Sequence, residues 1–296
     1  MKTTDEMGQA GNDRVVGTTG TCREYALEVI DKGAATAERP VPLLFVHGMM
    51  HAAWCWDEHF LDFFANKGYR VVALSLRGHG ESAPKPLRGC SIADFVDDVD
   101  LVASRLPIRP VVIGHSMGGM VVQKYLEAHA APAAVLVASV PPSGAGATFL
   151  RLTKRHPVRA MRTLLTTRAS CVLAGTPESA RENFFSELTP DSDVVRHTAR
   201  LDEEYLAKLL LPLLLLKLPK PQRIKVPLLV LGGERDALFT TRQVRATAAA
   251  YRGELEIFPE MGHDMMLEPG WMAVAECIHR WLGTLVPAAT LRSPPN

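Results

Sequence analysis

The amino-acid sequence predicts an α/β protein: a mostly parallel central sheet with helices on both faces, and an inserted helical cap. Three observations carry this expectation. Short apolar runs rich in Val, Leu and Ile alternate with stretches of helical spacing, the pattern of buried parallel strands joined by helices. The hexapeptide Gly114-His115-Ser116-Met117-Gly118-Gly119 stands where one such strand passes into a helix. Residues 141–222 then break the alternation with one helical pattern after another.

Taken in order, residues 1–20 are polar and read as a flexible segment. The first half of the core spans 21–140. It begins with a strand pair around Arg23 to Ile30, then strand 42–46, helix 57–67 and strand 69–75. Helix 91–105, strand 110–115, helix 117–129 and strand 133–139 complete it. The cap is expected over 141–222, opened by Pro141-Pro142-Ser143-Gly144 and closed by Leu218-Pro219-Lys220-Pro221, punctuation that marks an insertion. Its helical patterns cover about 147–155, 157–168, 177–187, 191–199 and 202–217. The second half, 223–286, reads as strand 226–231, helix 240–251, strand 254–258 and helix 268–285. Residues 287–296 read as a second flexible tail.

A G-x-S-x-G sequence at a strand-to-helix junction forces Ser116 onto a tight turn. A side chain at either flanking glycine would collide with the neighbouring strand and helix. The hydroxyl is thereby held out at the sheet edge, under the positive end of the following helix. The bare motif is a weak signal, and its bland reading is a glycine-rich turn with an ordinary serine. It gains weight only with a base, an acid and an oxyanion hole.

A serine hydroxyl needs a general base at neutral pH. Of ten histidines, His263 alone follows a strand and the turn Pro259-Glu260-Met261-Gly262, free to reach across the sheet edge. Histidines 129, 156, 197 and 279 fall in helices or polar loops and are expected at the surface. His115 should point away from the serine. The imidazole in turn needs a carboxylate. Asp236 follows strand 226–231 in Gly232-Gly233-Glu234-Arg235-Asp236, with Glu234 as its close rival, while Asp264 is poorly directed. Backbone amides must meet the developing oxyanion. The Met117 amide, directly after the serine, and the Met49 amide, in the loop His47-Gly48-Met49-Met50, are the expected donors. His47 is read as holding that loop by hydrogen bonds.

These segments resemble the α/β-hydrolase fold serine hydrolases. The His47-Gly48 loop is similar to that family's oxyanion loop, and Arg77-Gly78-His79-Gly80-Glu81-Ser82 to its next strand-to-loop segment. Asp236 and Gly262-His263 match its acid and base positions. The resemblance covers roughly 40–140 and 222–286. It implies a cofactor-independent hydrolase with a helical cap that shapes the substrate pocket. Met49-Met50-His51-Ala52-Ala53-Trp54-Cys55-Trp56 also resembles small-molecule esterases of the plant methylesterase and hydroxynitrile lyase branch. One departure is Ser75-Leu76 before Arg77, where many relatives carry an aspartate, so a different anchor for the Arg77 loop is expected.

Composition narrows the function classes. With 33 basic and 32 acidic side chains, no global field favours nucleic acid or a membrane. The cysteines at 22, 55, 90, 171 and 277 have no metal-ligand spacing, so no metal is expected, and a reduced, cytoplasmic compartment fits. Residues 1–20 lack the apolar core of a secretory signal, and stable membrane insertion is not expected. Asp94, Asp97, Asp98 and Asp100 read as a solvated helix face rather than a calcium site. The run Leu209 to Leu216 reads as a buried helix or an apolar pocket wall. Residues 149–168 carry Arg151, Lys154, Arg155, Arg159, Arg162 and Arg168 with no acid. A solvated face is the plain reading, attraction of an anionic group or lipid headgroup the functional one.

The expected activity is cleavage of an ester-type bond in a moderately hydrophobic small molecule, through an acyl-enzyme on Ser116. Thioesterase, lactonase and acyltransferase chemistry use the same groups. A slow-turnover ligand-binding protein and a non-hydrolytic lyase or synthase are the alternatives of another class. The ester itself and the oligomeric state are not readable from the sequence.

Overall fold

The computed structural model describes residues 11–18, 24–82, 90–204 and 218–285. Eight strands form one sheet in the order β1-β2-β4-β3-β5-β6-β7-β8. The strands are β1 (Gly11–Thr18), β2 (Glu24–Lys32), β3 (Leu43–Val46), β4 (Val71–Leu74), β5 (Val111–His115), β6 (Ala134–Val137), β7 (Leu228–Gly233) and β8 (Glu254–Phe258). From β4 through β8 every pairing is parallel, while β1 and β2 add an antiparallel edge.

The inner strands are apolar because both faces are covered. β3, β4 and β6 are buried at all four positions, β5 at all five and β7 at all six. β8, at the far edge, shows the alternation of a half-exposed strand and buries only Phe258 fully. The joining helices are α1 (Trp54–Asp57), α2 (Phe60–Asn66), α3 (Ile92–Ala103) and α4 (Met117–Tyr125) in the first half. Helices α5 (Gly146–Arg155), α6 (Pro157–Thr166), α7 (Pro177–Phe184) and α8 (Asp191–Thr198) follow β6. The second half carries α9 (Thr241–Tyr251) and α10 (Trp271–Thr284). Phe45, Trp56, Phe60 and Phe64 form a buried aromatic cluster between sheet and helices, with ring centroids 5.1–6.4 Å apart.

Three sequence expectations are corrected. Residues 11–18, expected to be flexible, form β1, paired in register with β2 from Gly11↔Asp31 to Thr18↔Glu24. The expected helix 57–67 is two helices, α1 and α2, with His59 between them in a non-helical conformation (φ −146°). Asp98 does not belong to a solvated face. It is buried on α3 and receives Arg77 Nε, Nη2 and backbone amide at 2.6–3.1 Å. This bidentate grip is how the Arg77 loop is anchored without the aspartate at 75 or 76. Of the helix expected over 202–217, Asp202 to Glu204 are non-helical and the rest lies outside the described residues, as do the Leu209 to Leu216 run, Cys22 and the 287–296 tail.

Candidate active site

Every site element leaves the sheet at the carboxyl end of a parallel strand, where open α/β sheets build their crevices. β5 ends at His115 and α4 begins at Met117, so Ser116 occupies a one-residue turn, with φ 51° and ψ −116°. That left-handed backbone is strained for a serine. The flanking glycines make it feasible: a Cβ on Gly118 would strike the His47 carbonyl oxygen, and one on Gly114 would stand 2.5 Å from the Gly118 carbonyl oxygen.

The loops after β7 and β8 bring Asp236 and His263 to this turn. His263 Nε2 lies 2.9 Å from Ser116 Oγ, and His263 Nδ1 lies 2.9 Å from Asp236 Oδ2. An ionised carboxylate only accepts, so Nδ1 carries the proton and Nε2 faces the serine hydroxyl as an acceptor. Asp236 Oδ1 accepts the amides of Leu238 at 2.7 Å and Phe239 at 2.9 Å, which fix the carboxylate plane. Glu234 is exposed and takes no part. All three expected residues, Ser116, Asp236 and His263, are thus brought together and buried. Burial alone depresses the His263 pKa, but the charge and hydrogen bond of Asp236, aided by Asp264, outweigh it and raise it above the usual value.

The Met49 loop meets the serine from β3. A Cβ on Gly48 would lie 2.7 Å from His115 Nδ1 and 3.1 Å from Ser116 Cβ, so only glycine lets the loop approach this closely. His47 holds the loop as expected: Nδ1 donates to the Gly48 carbonyl at 2.7 Å and Nε2 accepts the Leu76 amide at 2.9 Å. Among the described residues, nothing accepts a hydrogen bond from the Met49 or Met117 amide. Both are therefore available to an oxyanion.

Several participants escaped the sequence reading. Met50 has φ 67°, and its peptide is clamped from both sides. Its amide donates to Glu204 Oε2 at 3.3 Å, the Met49 carbonyl accepts from His51 Nδ1 at 2.9 Å, and the Met50 carbonyl accepts the Asp202 amide at 2.8 Å. Glu204 also meets His79 Nε2 at 2.6 Å, and His51 Nε2 meets Asp264 Oδ2 at 3.0 Å. All four side chains are buried. Burial disfavours a charged His79, yet Glu204 raises its pKa overall. Burial likewise opposes ionisation of Asp264, yet His51 holds its pKa low. Glu268 ties the Gly262-His263 loop to Ser186 and Thr189, accepting the Ser186 amide at 2.6 Å and the Gly262 amide at 3.2 Å.

Of the histidines expected at the surface, His197 is a correction. It is buried between Trp54 and Phe185, stacked at 5.9 and 6.0 Å, and fastens α8 to α1. His115 turns away from Ser116, its Nε2 donating to the His263 carbonyl at 3.0 Å. Burial and the neighbouring His263 push its pKa down to about 3. Donor atoms of His115, His263 and Asp264 lie within 4.8 Å of one another. A metal there would have to break the bonds His263 makes to Asp236 or Ser116.

Above Ser116 lies a cavity with about 100 Å³ for water-sized molecules. Its walls include Phe149, Leu152, Val172, Leu173, Phe184 and Leu238, and Ser116 and His263 supply polar groups at its floor. The site is therefore an apolar pocket with a hydroxyl, a ring nitrogen and two free amides converging at one end.

The profile of the Alpha/beta hydrolase family matches residues 43–275. A Non-heme chloroperoxidase of Streptomyces lividans is 42% identical over 107 residues, 34% of this chain and 38% of that protein. A Bifunctional esterase/perhydrolase of Acinetobacter calcoaceticus is 37% identical over 109 residues, 35% of this chain and 39% of that protein. The matched stretch thus spans less than half the length of these relatives. In three dimensions, an esterase from Thermogutta terrifontis superposes with a TM-score of 0.69 at 21% identity, covering 93% of this chain and 99% of that one. A bromoperoxidase from Bacillus anthracis gives 0.69 at 17% identity, with 92% and 100% coverage. At such identities the likeness is one of fold. The family profile spans the sheet from β3 to α10 and all five expected site residues, and the chain belongs to the alpha/beta hydrolase family.

Proposed function

We propose that the protein is a serine hydrolase that cleaves an ester-type bond of a moderately hydrophobic small molecule. The observation that carries this reading is the hydrogen-bonded chain from Ser116 Oγ through His263 to Asp236, opening at the floor of an apolar cavity. Ser116 Oγ attacks the carbonyl carbon while His263 Nε2 takes its proton. Asp236 holds the ring and stabilises its positive charge. The amides of Met117 and Met49 receive the oxyanion, each stabilising the transition state by about 3 kcal/mol. Collapse expels the alcohol, which leaves with the proton from His263. Water, deprotonated by the same nitrogen, then attacks the acyl-enzyme and releases the acid.

The helical stretch 141–222 acts in this reading as the cap, since α5 and α7 supply Phe149, Leu152 and Phe184 to the pocket. It excludes water from the oxyanion and selects substrates by apolar fit. No metal or cofactor takes part in these steps. The relative named esterase/perhydrolase brings a second reading, in which hydrogen peroxide replaces water at the acyl-enzyme and yields a peracid.

Hydrolysis of p-nitrophenyl esters from two to sixteen carbons, with wild type and Ser116→Ala side by side, tests the proposal. The expected result is serine-dependent turnover, reduced by about 10⁴-fold or more in the variant, with an optimum at a chain length that fills the cavity. Adding hydrogen peroxide and assaying peracid separates the two readings. Equal inactivity of both proteins on every ester would overturn the hydrolase.

A further inference from the structure

We propose that the α5–α6 hairpin docks the protein on the surface of an anionic lipid bilayer. Helix α6 is built inside out. Its inward positions are the small or polar Ala160 and Thr163, each only 2% exposed, whereas Val158, Met161 and Leu165 face solvent at 74%, 56% and 78% exposure. Their spacing of i, i+3 and i+7 sets them in one stripe along the helix. Leu164 and, from α5, Leu150 extend the apolar surface. Five of the nine exposed large hydrophobic residues among the described residues therefore fall between 150 and 165. A surface patch of this kind marks an interaction site.

The charges around the stripe choose the partner. Lys154, Arg155, Arg159 and Arg162 interleave with the apolar residues, and no acidic residue occurs from 149 to 168. Arg155 and Arg159 share the carboxylate of Glu182, at 2.8 and 3.2 Å, and among the described residues Lys154 and Arg162 make no ion pair. A second copy of the chain is disfavoured, because a two-fold contact would set these four cations against four more. Phospholipid headgroups offer the complementary charge, and the acyl region beneath accepts the stripe. Contact stays shallow, since no described helix is long and apolar enough to cross a membrane. The inward faces of the same two helices line the cavity above Ser116, through Thr148, Phe149, Leu152 and Thr163. A docked molecule would thus hold its pocket against the source of amphiphilic substrates.

Co-sedimentation of the full chain with vesicles of equimolar phosphatidylglycerol and phosphatidylcholine, against pure phosphatidylcholine, tests this without calling on catalysis. Wild type should partition at least about tenfold more strongly onto the anionic vesicles, and salt should weaken it. Val158→Ser/Met161→Ser/Leu165→Ser and Lys154→Glu/Arg162→Glu should each lower partitioning about tenfold or more. Both variants should keep the wild-type melting temperature and the wild-type activity on a soluble p-nitrophenyl ester. Equal binding to both vesicle types, or none, would overturn the proposal. A fall in melting temperature in the serine variant with vesicle binding unchanged would assign the face to the chain's own 205–217 stretch. Loss of a concentration-dependent dimer in that variant, without vesicle binding in wild type, would assign it to a second copy.

Discussion

In the proposed reaction, the proton that leaves Ser116 can be taken up only while the His263 ring is neutral. Because Asp236 outweighs burial and raises the His263 pKa, kcat/KM should fall as pH drops through an apparent pKa above 6.5, the ordinary imidazole value. Asp236→Asn removes the largest stabilisation of the imidazolium, so the acid limb should move to lower pH. It also frees His263 to adopt the wrong tautomer, and kcat should fall by about 10⁴. A pH–rate profile of both proteins checks the direction. An acid limb unmoved by the substitution would detach Asp236 from the base. Gly118 gives a second prediction at this scale. A methyl there meets the His47 carbonyl, part of a loop fixed by two hydrogen bonds, and cannot be relieved by rotating a side chain. Gly118→Ala should destabilise the protein by about 2–3 kcal/mol, read by urea unfolding, and lower kcat more than it raises KM.

At the scale of elements, the loop between β3 and α1 depends on residues far from it in the chain. Glu204 satisfies the Met50 amide and His79 Nε2, and its replacement by alanine leaves both atoms buried without that partner. Each orphaned group costs about 1–3 kcal/mol. Glu204→Ala should therefore lower the melting temperature and, by letting Met49 drift, reduce kcat about tenfold to a hundredfold with KM within a few-fold. Glu204→Gln keeps an acceptor for the amide and should recover most of the kcat. Steady-state kinetics and thermal unfolding of the pair check this. The strand–turn–helix units were readable because a parallel strand covered on both faces is a continuous apolar run. A nucleophile turn also needs glycine at fixed offsets. Glu204, His51 and Asp264 were not readable, since their pairings span 125 to 213 residues and leave no local spacing. Asp98 was legible after all: it falls three residues after Phe95 and four before Val102, on the buried face of α3. The aspartate count across the whole helix hid that position.

At the scale of the molecule, the sheet separates stability from chemistry. The site gathers at the ends of β3, β5, β7 and β8, whereas β1 lies at the opposite edge, beyond β2 and β4. The polar composition of residues 1–20 concealed β1, because an outer strand pairs through its backbone and needs no apolar run. Its role is nevertheless specific. β2 pairs with β4 only from Val29 to Lys32, so from Glu24 to Glu28 its ladder partners are all in β1. Removing residues 1–20 leaves that stretch as an open edge, a template for pairing with other chains. The truncated protein should melt about 5–10 °C lower and aggregate on heating, while kcat/KM at 25 °C on a soluble ester stays within about twofold of the full chain. Light scattering during a thermal ramp and a rate assay on the same sample read the two effects separately. A loss of activity without a loss of stability would mean that this edge reaches the catalytic end of the sheet. Three strands, β2, β4 and β3, lie between β1 and β5, the strand that leads into Ser116, so β1 has no ladder contact with it.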